Sequence, residues 1–248
     1  LIVVGKVAFM GCLIIGVEYL GIDPRFGTWR DTHLKIYGTA VQCLQTVFFG
    51  DWYWVTREIP QVSWQLQEST NYHQTALILP TGPADKFDNC NLFFLSLIER
   101  SKSRIWIASP YFVPNNSILN ALKLAALRGV DVRIILPNRS DHLTVYLCSF
   151  SYYTELQAVG IKLYRYRSGF MHQKVILVDE DIAGVGTTNF DNRSFFLNFE
   201  VMTFLLSGNF IHRVENMLKD DLNFSCAVNL GSYQKKPFWF KLSARVSR

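Results

Sequence analysis

The sequence is poor in charge, in paired cysteines and in uninterrupted apolar stretches, and each shortage removes a class of protein. Charged residues make up only 18% of the 248, against 49% apolar and 15% aromatic. That balance excludes a disordered chain and leaves enough apolar side chains for the core of one large domain or two small ones. It also places the chain at the greasy end of soluble proteins, where enzymes of membrane surfaces lie. The five cysteines, Cys12, Cys43, Cys90, Cys148 and Cys226, are scattered, odd in number and form no C-x-x-C pair. Neither a disulfide framework nor a zinc site is expected, and a reducing compartment suits them. No cofactor motif is present either.

The most apolar stretch, from Leu1 to Val17, is broken by Lys6 and by three glycines. It falls short of the roughly 20 residues that a bilayer core needs, so two strands joined at Gly5-Lys6 fit it better than a membrane span. No basic segment precedes it and no small-residue cleavage pattern follows, so it is not read as a secretory signal. Leu1 reads as a cut edge.

Acidic residues are missing where basic ones gather. Lys plus Arg exceed Asp plus Glu by 25 − 20 = 5, and Lys235, Lys236, Lys241, Arg245 and Arg248 lie in a closing segment without any acid. The rest of the chain is formally neutral, which argues against a broad nucleic-acid groove and for a local basic tail meeting an anionic surface. Phe238, Trp239 and Phe240 sit inside that tail. They fit either a packed C-terminal staple or rings lying at the headgroup depth of a membrane.

Short apolar runs alternate with longer segments of 3.6-residue period, which predicts an α/β chain. Strands are expected at Leu1–Val4, Val7–Met10, His33–Tyr37, Ala76–Leu79, Arg104–Ala108, Val132–Leu136, Lys162–Tyr164, Val175–Val178, Ile182–Val185 and Glu200–Leu206. Helices are expected at Ala40–Val55, Asn89–Ser101, Ser117–Leu127, His142–Ala158 and Phe210–Leu222, with Gly129 and Gly160 as stop signals. The polar stretch Glu58–Tyr72 reads as a linker.

Part of the chain repeats. Leu1-Ile2-Val3-Val4 matches Val175-Ile176-Leu177-Val178, and Val7-Ala8-Phe9-Met10-Gly11 matches Ile182-Ala183-Gly184-Val185-Gly186, with a gap after Val4 that falls opposite Asp179. Two pseudo-symmetric lobes follow, the first lacking its front.

The later copy carries the chemistry: His172-x-Lys174-x-x-x-x-Asp179, then Gly186-Thr187-Thr188-Asn189, Asp191-x-Arg193-Ser194 and Glu200. Residues two apart on an extended chain share a face, so His172 and Lys174 are expected in one cavity, with Thr187 and Asn189 alongside. An imidazole, an ammonium, a hydroxyl and an amide without metal ligands suit a phosphoryl group: the cation and neutral donors stabilise oxyanions while histidine makes or breaks the P–O bond. Glu200 is expected to accept a hydrogen bond from His172 and hold its tautomer. Asp179 fits a carboxylate closing a turn. Asp141-His142 fits either the cleft wall or a helix start, Thr81–Asp85 a turn, and His73 and His212 have no motif around them.

These residues resemble the phospholipase D superfamily, whose members carry two H-x-K-x-x-x-x-D motifs that build one site between two lobes. More narrowly, Glu18-Tyr19-Leu20-Gly21, the segment Phe26 to Leu34, Ser109-Pro110-Tyr111-Phe112-Val113-Pro114 and Phe190 to Phe195 are similar to bacterial cardiolipin synthases over nearly the whole chain. The resemblance implies an α/β, phospholipase D-like fold of two lobes of mixed sheet flanked by helices, the first incomplete. Residues 1–72 would be the remainder of that lobe plus linker, 73–234 the second lobe, and 235–248 the basic tail.

The same resemblance implies phosphatidyl transfer between two molecules of phosphatidylglycerol through a phosphatidyl-histidine, without cofactor or metal, at the cytoplasmic face of the bacterial inner membrane. The first motif's histidine would attack, His172 would serve as general acid and then base, and Asp31 would be the first-lobe counterpart of Glu200. The first copy departs from the pattern: its His and Lys would precede residue 1, Cys12 stands opposite Thr187, Ile14 opposite Asn189, and Val17 replaces a polar residue. Two other classes remain open, a single-motif nuclease of the same superfamily and a catalytically inactive lipid-binding relative.

Overall fold

The computed structural model describes residues 1–3, 5–11, 16–62, 64, 74–206 and 208–248. Val4, Cys12, Ile14, His73 and most of the Glu58–Tyr72 linker lie outside them. In chain order the first part holds strands β1 (Ile2–Val3), β2 (Val7–Gly11), β3 (Trp29–Arg30) and β4 (His33–Tyr37), then helix α1 (Ala40–Thr56). There follow β5 (Ala76–Thr81), α2 (Asn89–Arg100), β6 (Arg104–Ala108), β7 (Phe112–Val113), α3 (Asn116–Leu127), β8 (Asp131–Pro137), α4 (Leu143–Ser151) and α5 (Tyr153–Ala158). The last part holds β9 (Lys162–Tyr166), β10 (Phe170–Met171), β11 (Val175–Val178), β12 (Ile182–Gly186), β13 (Phe190–Asp191), α6 (Asn192–Phe196), β14 (Glu200–Leu205), α7 (Asn209–Asn223), β15 (Ser225–Ala227), α8 (Leu230–Gln234) and α9 (Phe238–Val246).

Strands β6, β8 and β11 are almost wholly apolar because both of their faces are covered. They lie at the centre of an eight-stranded mixed sheet of order β15-β9-β8-β6-β11-β12-β14-β5. Its parallel pairs β6/β8 and β8/β9 are joined through helices, as parallel neighbours must be, and the remaining pairs are antiparallel. Helices α2 to α5 cover one face around Phe94, Ile98, Ile107, Leu122 and Ile134. On the other face, α7 and a small sheet β1-β2-β4 bury Ala8, Met10 and Leu34 against Ala108, Val175, Ala183 and Val185.

The expected strands and helices are present with small shifts at their ends, apart from one. His142–Ala158 is two helices, not one: the chain breaks at Tyr152, after Ser149 and Ser151 turn their hydroxyls back onto the carbonyls of Tyr146 and Cys148. The two-residue strands β3, β7, β10 and β13, too short to leave a periodic signal, pair in parallel as β10 on β3 and β13 on β7.

The repeat is built into the sheets. Val3 pairs with Val7 as Val178 pairs with Ile182, so the two hairpins match at a constant offset and the gap after Val4 is not needed. A third antiparallel strand follows in each case, with Gly11 opposite His33 and Gly186 opposite Met202. Neither glycine has room for a Cβ, which would stand 2.6 Å from the Thr32 carbonyl oxygen at Gly11 and 2.3 Å from that of Val201 at Gly186. Two residues before those partners stand Asp31 and Glu200, which makes them positional equivalents.

Asp179 closes the later hairpin at a left-handed φ of 52°. Its carboxylate accepts the backbone N–H groups of Lys102, Ser103 and Arg104 and the Ser103 hydroxyl, fastening the turn to the start of β6. Burial is the largest single influence and pushes its pKa up, but those bonds together outweigh it and hold the pKa below the usual 3.8. Because the folded pKa is depressed, this contribution is present above about pH 4 and is lost as pH falls further. Asp179→Asn should therefore cost about 1–3 kcal/mol at neutral pH by thermal or urea unfolding, with the difference from the parent shrinking on acidification.

Candidate active site

His172, Gln173 and Lys174 form an extended link between β10 and β11, and their side chains alternate. His172 and Lys174 meet on one side: Lys174 Nζ lies 3.0 Å from both ring nitrogens and donates to the His172 carbonyl at 2.5 Å. Gln173, fully buried, turns the other way. The expected sharing of a face by His172 and Lys174 holds, although the segment is not itself a strand.

The imidazole is 15% exposed, and its Nδ1 stands 3.1 Å from Asp31 Oδ2, itself almost buried. An ionised carboxylate only accepts, so Nδ1 carries the proton and Nε2 of the neutral ring is the basic nitrogen. Burial lowers the His172 pKa below its ordinary 6.5. The Asp31 hydrogen bond opposes that, and the Lys174 charge adds to it. The Asp141 carboxylate, bonded by the Tyr111 hydroxyl, also acts to raise it. The ring is thus neutral at pH 7.

Glu200 is not the partner of His172. Its Oε1 accepts the Ser194 hydroxyl at 2.8 Å and Asn198 Nδ2 at 3.1 Å, because β14 carries it to the position equivalent to Asp31 and away from the imidazole. Burial raises its pKa against these bonds and one from Thr187. The acid at His172 comes instead from the first part of the chain.

Thr187 is engaged at the start of β14, its Oγ accepting the Val201 N–H at 2.9 Å. Gly186 donates to the Lys174 carbonyl at 3.2 Å, which brings the Thr187–Asn189 turn alongside the lysine. Asn189 Oδ1 is buried without a hydrogen-bond partner among the described residues, and no hydrogen bond joins Asn189 to His172 there. Asp191 caps α6 through the Ser194 N–H and feels the Lys174 charge, while burial raises its pKa. Asp179 lies at the far end of β11 on backbone donors.

Asp31 is brought to His172 by the β3/β10 pair. Phe170 donates to the Thr28 carbonyl and His172 to that of Arg30, at 2.9 and 2.8 Å. Trp29, Tyr19 and Phe170 stand around the imidazole at ring separations of 5.2, 6.1 and 6.1 Å. Beneath, Arg30 makes a two-pronged ion pair with Asp221 of α7. Sequence reasoning missed this last residue. Its signal was an acid on the otherwise apolar stripe Ile211, Val214, Leu218, Asp221, all four buried.

A mixed sheet whose histidine and lysine are met by a carboxylate from a pseudo-symmetric strand has the phospholipase D-like fold. Phosphatidylserine synthase of Haemophilus influenzae superposes over 98% of this chain and 66% of its own, with a TM-score of 0.69 at 12% identity. Nuc, a phospholipase D family member of Salmonella typhimurium, covers 63% of this chain and 99% of its own, at a TM-score of 0.53 and 21% identity. These likenesses are of fold.

Residues 94–222 match the family described as cardiolipin synthase, PLD-like domain, and the chain belongs to that family. Cardiolipin synthase A of Pseudomonas aeruginosa is 47% identical over 220 residues, covering 89% of this chain and 45% of the relative. Its namesake from Pseudomonas syringae is 41% identical over 247 residues, covering 100% and 51%. The chain spans about half the length of these curated relatives.

In an NMR titration of the ring proton, His172 should titrate below 6.5. Asp31→Asn should lower that midpoint further by removing the bond that favours the charged ring, and Lys174→Met should raise it. Because the folded state holds the ring neutral, stability carried by this site should fall as pH drops through the unfolded value near 6.5.

Proposed function

We propose that the protein carries out phosphatidyl transfer of the cardiolipin synthase type, joining two molecules of phosphatidylglycerol into cardiolipin with release of glycerol. The observation that carries this reading is the neutral, carboxylate-oriented imidazole of His172 beside a buried ammonium. The identity of 41–47% to proteins named cardiolipin synthase A supports it. Residues 1–72 are then the remainder of one phospholipase D-like lobe with its linker, 73–234 a second lobe, and 235–248 a basic tail.

The complete H-x-K-x-x-x-x-D pattern occurs once in these 248 residues, so the exchange takes its second histidine from outside them. That histidine attacks phosphorus and an N–P bond forms as the P–O bond to glycerol breaks; His172, neutral at rest, takes up a solvent proton at Nε2 when the anionic phosphodiester binds beside it and hands that proton to the departing alkoxide. The ring, now basic at Nε2, takes the proton of an incoming phosphatidylglycerol hydroxyl. The new O–P bond forms, the N–P bond breaks, and His172 is protonated again. Lys174 neutralises the phosphoryl oxygens, with Asn189 as a neutral donor beside it. Thr187 holds the start of β14 and so Glu200, which serves the second histidine as Asp31 serves His172. Asp179 contributes by fastening β11 rather than by touching substrate.

The reading places the protein on an anionic membrane surface at the cytoplasmic face. Among the described residues no helix is long and apolar enough to cross a membrane. The tail supports surface contact: on α9, Phe240 packs edge-on against Phe150 and Ala244 is fully buried, whereas Phe238 and Trp239 are 69% and 74% exposed beside Lys235, Lys236 and Lys241. The staple and the membrane-facing aromatic pair thus occupy opposite sides of one helix. The formally neutral body speaks against the nuclease alternative.

Assayed as the full reading frame that carries these residues, the protein should convert phosphatidylglycerol vesicles to cardiolipin, and His172→Ala should lower the rate about 100-fold or more. Retained turnover in that variant, or cleavage of oligonucleotides by the parent, would refute the assignment. In flotation with phosphatidylglycerol vesicles, a Phe238→Ser, Trp239→Ser double variant should bind about tenfold more weakly with an unchanged melting temperature. Salt should weaken binding of the parent as well.

A further inference from the structure

Asp221 and Gln173 lie behind the reacting face, and the resemblance assigns them nothing. Both are buried, at 3% and 0% exposure, and buried polar side chains of this kind are kept only where their hydrogen bonds are satisfied. Here each bond leads to the short segment that carries Asp31. Arg30 Nε donates to Asp221 Oδ1 at 2.8 Å and its Nη2 to Oδ2 at 3.0 Å. Gln173 Nε2 donates to the same Oδ2 at 2.7 Å, and Gln173 Oε1 accepts the Thr32 hydroxyl at 2.5 Å. Arg30 Nη1 then donates to the Asp31 carbonyl at 2.6 Å, and the Thr32 N–H donates to Asp31 Oδ1 at 2.8 Å.

The circuit closes on itself. Arg30 and Thr32 flank Asp31 in sequence, Gln173 lies between His172 and Lys174, and Asp221 binds both sides at once. The carboxylate of Asp31 has one oxygen held by the Thr32 N–H and the other on His172. Rotation or withdrawal of the 30–32 segment would break the second of these bonds. A bidentate arginine pair resists both motions, since its two parallel bonds fix direction as well as distance.

We propose that Asp221, through Arg30 and Gln173, is a positioning residue that sets Asp31 against His172 and thereby fixes the tautomer of the imidazole. It acts on the site from α7 without touching the reacting atoms. A displacement of about 1 Å at an oriented pair costs up to about 100-fold in rate, so removal of the clamp registers at the histidine.

The test is the His172 ring titration by NMR on the chain itself, where Asp31, Lys174 and Asp141 are the charged groups that face the ring. Asp221→Asn should lower the His172 midpoint in the same direction as Asp31→Asn, and the Asp221→Asn, Asp31→Asn double variant should add nothing beyond Asp31→Asn alone. Arg30→Gln should reproduce the effect, and Arg30→Lys, which keeps charge but not the two-pronged geometry, should restore it only in part. Glu215→Gln supplies the control, because it breaks the Arg104 ion pair of the same helix without reaching Asp31. It should lower the melting temperature and leave the titration unmoved.

An unchanged His172 midpoint in folded Asp221→Asn, or an equal shift in Glu215→Gln, would overturn the proposal. If Asp221→Asn fails to fold, Arg30→Gln carries the same decision. In the full reading frame the expected kinetic effect is about a tenfold loss of kcat with little change of KM. That arm rests on the proposed phosphatidyl transfer, whereas the titration stands without it, so failure of one is distinguishable from failure of the other.

Discussion

The parallel pairing of Phe170 with Trp29 and of Met171 with Arg30 is only two residues long, yet the site depends on it. A histidine from one sheet and a carboxylate from another can share a proton only if two backbones pass within hydrogen-bonding distance. The N–H of His172 on the Arg30 carbonyl enforces that approach. The rest of the architecture holds this crossing steady. The eight-stranded sheet fixes β11, into which Lys174 leads. The packing of β1-β2-β4 on its face fixes β4, and with it the Asp31 turn.

The pseudo-symmetry reaches further than the hairpins. Arg30 precedes Asp31 as Phe199 precedes Glu200, and each of these residues is tied to a helix of the opposite part of the chain. Arg30 is bonded to Asp221 on α7, and Phe199 meets Trp54 of α1 as a tilted ring pair at 6.3 Å. One tie is ionic and part-buried, the other aromatic and half-exposed. The duplicated scaffold has kept the position of the tie while its chemistry diverged. Asp221, at 3% exposure, needs its arginine because an unpaired buried charge costs several kcal/mol, so the Arg30 and Asp221 positions are coupled in a way that Phe199 and Trp54 are not.

Much of this was legible in the sequence where periodicity or motif spacing carried the signal. The strands Arg104–Ala108 and Val175–Val178 stood out as β-branched apolar runs, and the pairing of His172 with Lys174 followed from residues two apart. The resemblance made Asp31 a counterpart of Glu200, and the strand registers give the same equivalence. What the sequence could not show was which part of the chain supplies the acid to His172. That depends on strands crossing between sheets, and a two-residue strand leaves no pattern to read. The strand pattern offers His172 Glu200, on the strand that follows, whereas the structure brings it Asp31, far in sequence and near in space. Asp221 and Gln173 escaped for the same reason, each ordinary in its own segment and significant only through the other.

The distances along the chain between these partners have a kinetic side. His172 and Asp31 are 141 residues apart and Arg30 and Asp221 are 191 apart, whereas the hairpin β11–β12 closes within a dozen residues. During synthesis at about 5–20 residues per second, Arg30 emerges roughly 10 to 40 s before Asp221 exists to bind it. For most of that interval Ala8, Met10 and Leu34 have no Val175, Ala183 or Val185 to pack against, so the early sheet shows its apolar face to solvent. Within these 248 residues, the segment that supplies the carboxylate thus waits longest for its partners, and a chaperone has most to offer there.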